Sequence, residues 1–331
     1  MYNMQTNRPL LSVCIPTFNR PVELRTTLSI VATQIAALPI EMGQVVQCIV
    51  SDNHSSYDAR ALVAEFSERI ALEIFVQESN VGPTMNFEYC YRRAGGKYVL
   101  ILSDDDHLMD GALKAILTIL YAYKPDIVFL PFTPQLKKIG VSGNLCCMKR
   151  NEFLSDVGIL PSLISACILN RDLIVDILGQ YLDTNMHHYN YFLHVVEHGE
   201  TFYSFSHQML DCPYEHNAGG YNWFAVFGDQ IFRIIDDFPA QRINRALLNV
   251  IENKLLIDRI IPTFANRRIQ GYTINQKFNE DTERKILIAL SKRCRRFWAY
   301  WAILLPLYLI PRRILIAIKH VYKLKKYIIQ S

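Results

Sequence analysis

The first 135 residues alternate short apolar runs with stretches of helical spacing, and this alternation is the feature that most limits the possible fold. Five runs rich in β-branched and aromatic residues predict strands: 10–16, 45–52, 71–77, 97–106 and 126–132. Four stretches between them predict helices: 22–38, 58–70, 84–94 and 110–123. Strands that alternate with helices favour a doubly wound, mostly parallel α/β sheet.

Polar clusters follow three of the predicted strands, with the sequences PTFNR (16–20), SDNHSS (51–56) and SDDDH (103–107). In open α/β sheets, ligands bind beyond the carboxyl ends of the strands. Adjacent aspartates at a strand end suit a hard cation such as Mg²⁺ or Mn²⁺, which combines one or two carboxylates with phosphate oxygens of a substrate. The alternative is a solvated acidic turn that caps the next helix, although Asp110 could fill that role by itself.

Residues 10–135 resemble the nucleotide-sugar-binding domain of family 2 glycosyltransferases, which have the GT-A fold. Four segments that match the family in order and spacing carry the resemblance: VCIPTFNR, CIVSDNHSS, NVGPTMNF (80–87) and LILSDDDHL. The last corresponds to the family's Asp-x-Asp motif, except that Ser103 stands where the family often has its first aspartate. Within this family, the chain is similar to bacterial O-antigen transferases of the abequosyltransferase type.

The resemblance implies roles for the matching residues. The nucleotide-sugar site would comprise Pro16, Thr17, Asn19, Arg20, Asp52, Asn53, Ser55, Asn80, Gly82, Asn86 and Asp104. The Mg²⁺ or Mn²⁺ ligands would come from Asp104, Asp105 and Asp106, with the choice among them open, and from His216 in a later loop. The implied reaction is an inverting, metal-dependent transfer of a sugar from a nucleotide-diphosphate donor to a saccharide acceptor in O-antigen, capsule or other surface polysaccharide synthesis.

An inverting transfer needs a general base for the acceptor hydroxyl. Relatives often place an aspartate for this purpose in the second half of the domain, within a Glu-Asp pair. The matching stretch here, LDTNMHHYNYF (182–192), lacks such a pair. His188 is the first candidate, followed by His187 and Asp183, because imidazole suits base chemistry near neutral pH. The alternative is that these histidines are ordinary surface or core groups of a helix.

The alternation weakens after about residue 135, which suggests three parts. Residues 1–135 would form the nucleotide-sugar half of the domain, residues 136–222 its acceptor half, and residues 223–331 a helical region. Within the second part we expect a strand leading to a helix at 160–174, a helix at 186–199, and strands followed by a glycine-rich loop at 201–222. Eight cysteines without a Cys-x-x-Cys pair favour buried thiols in a reducing compartment over a zinc site.

The C-terminal residues differ in charge from the rest. Residues 291–331 hold ten Lys or Arg and no Asp or Glu, whereas the whole chain carries a net charge of +4, so the body is acidic. The apolar run at 297–310 contains Pro306 and is shorter than the about 20 residues of a spanning helix. These features predict a basic amphipathic anchor at about 292–331 on a membrane surface, which would suit a lipid-linked acceptor. The alternative is a helix pair packed on the body or on another subunit of a homo-oligomer.

The N-terminal sequence MYNMQTNRPL has no apolar segment of the signal-peptide type, so we expect a cytoplasmic protein on the inner face of a bacterial membrane. A nucleic-acid partner is disfavoured by the apolar content of the basic tail. Two other functions stay open. The first is a sugar-nucleotide nucleotidyltransferase, which would need a glycine-rich phosphate loop after the first strand, where PTFNRP (16–21) has no glycine. A catalytically dead, membrane-tethered binding or scaffold protein is the other.

Overall fold

The computed structural model describes residues 8–132, 145–213, 222–270 and 282–319. The chain divides into two compact units. The first unit comprises Met1–Pro213 with Phe238–Asn244, and the second comprises Tyr214–Asp237 with Arg245–Ser331. The predicted boundary at 135 lies outside the described residues, and the three-part division stays a prediction.

The described part of the first unit contains ten strands: β1 Leu11–Thr17, β2 Val46–Asp52, β3 Leu72–Val76, β4 Tyr98–Ile101, β5 His107–Leu108, β6 Ile127–Phe129, β7 Leu145–Met148, β8 Cys167–Asn170, β9 Phe202–Phe205 and β10 Leu210–Asp211. Eight of them form one sheet in the order β3-β2-β1-β4-β8-β6-β9-β7, and β10 pairs with β5. The four neighbouring strands β3, β2, β1 and β4 are parallel to one another, as predicted. Strand β8 is antiparallel to both of its neighbours.

Seven helices accompany these strands in the described part of the first unit: α1 Pro21–Ala36, α2 Ile40–Gly43, α3 Ala59–Ala64, α4 Gly82–Arg93, α5 Ala112–Tyr123, α6 Arg150–Val157 and α7 His187–His198. Local sequence explains several of their starts. Pro21 lies in the first turn of α1, where a missing N–H costs nothing. The Asp58 side chain caps α3 by accepting a hydrogen bond from the Ala61 N–H at 3.0 Å. The α/β prediction is therefore confirmed for the first unit.

Two predicted elements differ from the structure. The strand predicted at 97–106 ends at Ile101, because the chain turns when the Asp106 N–H bonds to the Ser103 carbonyl at 3.1 Å. The segment predicted as a strand leading to a helix at 160–174 instead has short 3₁₀ turns on both sides of β8. There the Asn170 side chain accepts from the Asp172 N–H, which starts a tight turn rather than an α-helix.

The second unit is helical, as predicted for the residues after 223. In the described ranges its helical segments are α8 Trp223–Ala225, a π-helical turn Val226–Gln230, α9 Ile231–Asp237, α10 Arg245–Leu255, a second π-helical turn Leu256–Ile260, α11 Ile261–Gln270, α12 Glu283–Cys294, a third π-helical turn Tyr300–Leu304, α13 Leu305–Leu309 and a last helix Arg312–Lys319. A buried guanidinium, Arg268, donates to the carbonyls of Leu307, Tyr308 (2.7 Å) and Ile310 (2.9 Å). Arg268 thereby satisfies carbonyls that the end of α13 leaves without intrahelical partners.

Gly96 marks a close approach between the start of β4 and β1. A Cβ at this position would lie 2.6 Å from the Ser12 nitrogen and 2.8 Å from both the Ser12 hydroxyl and the Tyr98 carbonyl oxygen. Backbone atoms in a sheet cannot move aside as a flexible side chain can. We expect Gly96→Ala to lower the free energy of unfolding by about 2 kcal/mol, measured by urea denaturation.

The matched control for this prediction is Gly43→Ala, at the end of α2. A Cβ there would meet only the Ile35 side chain at 3.7 Å and a carbonyl oxygen at 3.9 Å, which are ordinary contacts. We expect its urea midpoint to stay close to that of the wild type. Equal midpoints for the two variants would show that the approach at Gly96 is not tight.

Candidate active site

The candidate site lies where three parallel strands end at one edge of the sheet. Thr17, the last residue of β1, pairs in register with Asp52, the last residue of β2. Strand β4 lies on the other side of β1 and leads into the residues Ser103–Asp106, which we call the acidic turn. The topology therefore brings together all three polar clusters that the sequence placed at strand ends.

Two carboxylates of the acidic turn share one cationic group. The Asp104 carboxylate accepts from the Thr17 hydroxyl at 2.7 Å and from Nη1 of Arg20 at 3.1 Å. The same Arg20 nitrogen donates to Asp105 at 2.6 Å, and the Ser103 hydroxyl donates to the other Asp105 oxygen at 2.5 Å. Arg20 immediately precedes α1, so the start of that helix brings its positive charge to the acidic turn.

The third carboxylate has a different set of partners. Asp106 accepts from the Ser165 hydroxyl at 2.6 Å, and the Cys212 thiol also bonds to it. The Ser165 oxygen in turn accepts from the Ser103 N–H at 2.9 Å. Ser165 therefore braces the acidic turn at both of its ends.

The three carboxylates differ in their exposure to solvent. Asp104 and Asp106 are buried, whereas the Asp105 side chain is 30% exposed. Burial raises the pKa of Asp104 to about 6, although the Thr17 hydrogen bond and the Arg20 charge oppose this shift. Burial likewise raises the pKa of Asp106, against the hydrogen bonds from Ser165 and Cys212. Asp105 is thus the carboxylate that a ligand meets first.

The loops after β1 and β2 are joined through Asp52 and Asn19. The buried Asp52 carboxylate accepts from the Ser55 hydroxyl at 2.5 Å and from the Ser55 N–H at 3.1 Å. Asn19 has a positive φ of 54° and accepts from the Ser56 N–H at 2.7 Å, while its own N–H donates to the Ser55 hydroxyl at 2.8 Å. These bonds fix the backbone beside the sheet edge.

Asn53 and Asn80 shape the entry to α4. The Asn53 side chain donates to the Asn80 side chain and accepts from the Val81 N–H, both at 2.9 Å. The Asn80 oxygen also accepts from the Gly82 N–H at 2.9 Å. Gly82 has a φ of 81°, which favours glycine, and a Cβ there would meet no atom within 4 Å. The positive φ of the backbone therefore favours glycine at this position.

Two predicted binding residues lie inside the domain and support the site. Asn86 is buried and exchanges hydrogen bonds with Ser51, accepting from its hydroxyl at 2.7 Å and donating to its carbonyl at 3.0 Å. Pro16 is buried within β1 and pairs in register with Ser51. Both residues hold the end of β2 next to β1.

The three candidate bases lie in different environments. His188 is buried on α7, and its Nε2 lies 3.0 Å from the Ser162 carbonyl. Because a carbonyl only accepts, Nε2 carries the hydrogen and Nδ1 bears the lone pair. His187 is fully buried with its ring edge-on to Tyr191. Burial lowers the pKa of His188 to about 4 and that of His187 to about 3.

Asp183 is exposed on the segment before α7. The carbonyl of the adjacent Thr184 accepts from the Thr84 hydroxyl at 3.1 Å, which ties this segment to the first turn of α4. The assignment of the base among His188, His187 and Asp183 stays a prediction. His216, the predicted fourth metal ligand, lies outside the described residues.

A divalent cation would find oxygen ligands in the acidic turn. Within the described ranges, no three His, Cys, Asp or Glu side chains come together as a metal site. The donor set nevertheless fits a partial site, since Mg²⁺ and Mn²⁺ often take only one or two carboxylates and complete their coordination with phosphate oxygens and water. Asp105, together with Asp104 or Asp106, would supply those carboxylates.

No sequence pattern indicates the residues that support the acidic turn from distant parts of the chain. Ser165 lies 59 residues beyond Asp106, in the turns before β8, and Cys212 follows β10. The Thr27 hydroxyl of α1 donates to the Asp104 carbonyl at 2.7 Å. Their residue types are common, and only the folded chain places them here.

Residues 12–141 match the sequence model of the family described as glycosyl transferase family 2. This part of the chain belongs to that family. The family 2 domain includes the acidic turn, Arg20 and the joined loops after β1 and β2. The resemblance predicted from the four sequence segments is thereby confirmed.

A curated relative of this family 2 domain comes from Campylobacter jejuni and is named GalNAc(5)-diNAcBac-PP-undecaprenol beta-1,3-glucosyltransferase. It is 32% identical over 111 residues. The match spans 33% of this chain and 34% of the relative, so about a third of each protein is compared.

Solved structures extend the likeness beyond the family 2 domain. Staphylococcus aureus TarS 1-349 in complex with UDP-GlcNAc has a TM-score of 0.56 at 13% identity, and the alignment covers 87% of this chain and 93% of the 1-349 fragment. The mannosyltransferase PcManGT from Pyrobaculum calidifontis, in complex with GDP-Man and Mn²⁺, has a TM-score of 0.56 at 15% identity and covers 96% of this chain and 88% of its own. These likenesses confirm the predicted GT-A glycosyltransferase fold.

Ser165 offers a test of how the acidic turn is held. We expect Ser165→Ala to lower the free energy of unfolding by about 1–3 kcal/mol, because it removes one donor from the buried Asp106 carboxylate and leaves the Ser103 N–H without its acceptor. Urea denaturation at neutral pH would measure the change.

Ser162→Ala is the matched control, three residues away. Ser162 bonds to His188 through its backbone carbonyl, which the substitution keeps. We expect its stability to stay within about 0.5 kcal/mol of the wild type. A Ser165 variant as stable as this control would mean that the hydroxyl does not brace the acidic turn.

Proposed function

We propose that this protein is an inverting, divalent-cation-dependent glycosyltransferase that moves a sugar from a nucleoside diphosphate donor to a saccharide acceptor. The observation that carries the proposal is the acidic turn, with its partly exposed Asp105, at the same sheet edge as the Asp52 loop. The family of residues 12–141 supports the same chemistry. Neighbouring structures with UDP-GlcNAc and with GDP-Man and Mn²⁺ share the fold.

The Asp52 loop and the acidic turn suit the nucleoside and the diphosphate of a nucleotide-sugar donor, respectively. We assign Asp52 to the nucleoside, since its carboxylate can accept from a ribose hydroxyl or a base N–H. The diphosphate would lie toward Arg20 and the acidic turn, where a guanidinium can bind phosphate oxygens. A bound Mg²⁺ or Mn²⁺, held by Asp105 and a neighbouring aspartate, would supply charge neutralisation for the diphosphate leaving group.

The acceptor hydroxyl must lose a proton as it attacks the sugar from the face opposite the diphosphate. We assign the base to His188. Its Nε2 carries the hydrogen that bonds to the Ser162 carbonyl, so its Nδ1 bears the lone pair that can accept a proton. In the free protein, burial lowers the pKa of His188 to about 4, so its ring is neutral at pH 7. An anionic acceptor or diphosphate nearby would raise that pKa and make the ring a better base. His187 and Asp183 are the remaining candidates.

We propose a lipid-linked saccharide as the acceptor, in the assembly of a bacterial surface polysaccharide such as O-antigen. The name of the Campylobacter jejuni relative contains a polyprenyl diphosphate saccharide, which supports this acceptor class for the shared domain. O-antigen is the polysaccharide that the sequence resemblance to abequosyltransferase-type enzymes implies.

We further propose that the second unit contacts a membrane surface on the cytoplasmic side. Across the described residues, no single helix is long and apolar enough to span a bilayer, although the bent pair Tyr300–Leu309 and Arg312–Lys319, with an angle of 106°, meets the length and composition together. Trp298 is 61% exposed and Leu309 is 67% exposed. Exposed tryptophan and leucine beside arginines are typical of a helix that lies in the interface.

Nucleotide binding tests the proposed reaction. We expect one of UDP, GDP, CDP and dTDP to raise the melting temperature of the protein in the presence of Mn²⁺, with a much smaller effect without the ion. Asp105→Asn should weaken this binding about tenfold or more, because it removes the carboxylate of the acidic turn that is most open to solvent. The control is Asp110→Asn, which removes the same charge from an exposed residue outside the acidic turn, and this variant should bind nucleotide as the wild type does.

Other outcomes would favour the rival functions. If no nucleotide stabilises the protein, the transferase proposal fails and a binding or scaffold role is favoured. Release of pyrophosphate from a nucleoside triphosphate and a sugar 1-phosphate would instead indicate a nucleotidyltransferase. Stabilisation that is equal with and without Mn²⁺ would contradict the dependence on a cation.

Vesicle binding tests the proposed membrane contact. We expect the double variant Trp298→Ser, Leu309→Ser to bind phosphatidylglycerol-rich vesicles about tenfold more weakly in a sedimentation assay, because it removes exposed apolar area. The control is Val22→Ser, Ile40→Ser, two exposed apolar residues of the first unit. Equal binding by both variants, or no binding by the wild type, would contradict the membrane contact.

A further inference from the structure

Arg20 occupies the position at the acidic turn that a cation would need. Its Nη1 lies 2.6 Å from an Asp105 oxygen and 3.1 Å from an Asp104 oxygen, so one nitrogen bridges the two carboxylates. The remaining oxygens of these carboxylates accept from Ser103 and Thr17. All four oxygens are therefore engaged in the free protein.

Each carboxylate oxygen has a second lone pair, but a divalent cation that bridges Asp104 and Asp105 needs the space that one of their present partners fills. Thr17 is buried at the end of β1, and Ser103 belongs to the acidic turn itself. Arg20 has a long side chain that is 29% exposed and can move without disturbing the sheet. It also carries a positive charge, which repels a second cation at the same carboxylates. Arg20 is thus the partner that a cation displaces.

The donor offers the displaced guanidinium a new partner. A diphosphate brings about two negative charges to the sheet edge, and the planar guanidinium of arginine matches phosphate oxygens with two parallel hydrogen bonds. The exchange preserves the charge balance, because the divalent cation replaces Arg20 at the carboxylates while Arg20 helps to neutralise the incoming phosphates.

We propose that Arg20 is an exchangeable counter-ion: it holds Asp104 and Asp105 in the free protein and moves to the donor diphosphate when a divalent cation binds the acidic turn. This inference rests on the proposed function, since it takes a nucleoside diphosphate as the ligand. Two consequences follow. The free protein binds the cation weakly, and nucleotide and cation each strengthen the binding of the other.

The test measures Mn²⁺ binding to the full chain, without any turnover, by electron paramagnetic resonance of free Mn²⁺. Titrations are made with and without the nucleoside diphosphate that gives the largest thermal shift. Without nucleotide, Arg20→Gln should bind Mn²⁺ about fivefold more tightly than the wild type, because the competing charge is gone. The tightening of Mn²⁺ binding by the nucleotide should fall about fivefold or more in this variant.

Two further variants serve as controls. Arg25→Gln removes an exposed arginine of the same helix that pairs with Glu65, and it should behave as the wild type does. Arg20→Lys keeps the charge but not the paired hydrogen bonds, so its Mn²⁺ affinity without nucleotide should stay close to that of the wild type while the nucleotide effect falls. Arg20→Lys also keeps the test decisive if Arg20→Gln does not fold.

Failure of the inference is distinguishable from failure of the proposed function. If the wild type binds Mn²⁺ and nucleotide together, but Arg20→Gln binds free Mn²⁺ no more tightly than the wild type, the exchange is wrong and the proposed function stands. A nucleotide effect that is unchanged in both Arg20 variants would also overturn the exchange. If the wild type binds no Mn²⁺ with any of the four nucleotides, both the exchange and the cation dependence are wrong.

Discussion

The parallel pairing of β1 with β2 and β4 is the interaction on which the candidate site depends. All seven residues of β1 are buried, and its register sets Thr17 against Asp52 on one side and Cys14 against Ile101 on the other. Parallel strands present their carboxyl ends at the same edge, so polar residues that lie far apart in the chain meet there. A shift in this register would separate the Thr17 hydroxyl from Asp104 and leave a buried carboxylate without its donor.

The strands of the first 135 residues and the polar clusters at their ends could be predicted from the sequence, because each depends on residues that are close together in the chain. Apolar runs predicted the strands of the first half, and the polar clusters after them predicted the edge where a ligand binds. The strand that was predicted to continue to residue 106 shows the limit of such signals. Hydrophobic periodicity carries no information about the hydrogen bond from the Asp106 N–H to the Ser103 carbonyl. This bond closes a turn that contains the aspartates, so the extended backbone does not continue to residue 106.

Long-range contacts could not be predicted from the sequence. Nothing in the local pattern shows that β8 lies antiparallel beside β4, and this pairing brings Ser165 to Asp106. The histidines of α7 show the same limit, because ten of the twelve residues of this helix are buried and its sequence has no single apolar face. Only the fold shows that His187 lies among tyrosines, whereas His188 bonds to the Ser162 carbonyl.

The burial of Asp104 explains why the acidic turn should attract a cation even though Arg20 is already present. A rise of its pKa from 3.8 to about 6 means that the ionised carboxylate at neutral pH is disfavoured by roughly 3 kcal/mol relative to water. Since the folded state binds the proton more tightly, this carboxyl makes folding less favourable as the pH rises from about 4 to 6. The Thr17 hydroxyl and the Arg20 guanidinium therefore offset only part of the desolvation. A divalent cation would offset more of it than a single guanidinium shared with Asp105, so the free energy lost on burying Asp104 is in part recovered when a ligand brings positive charge to the turn.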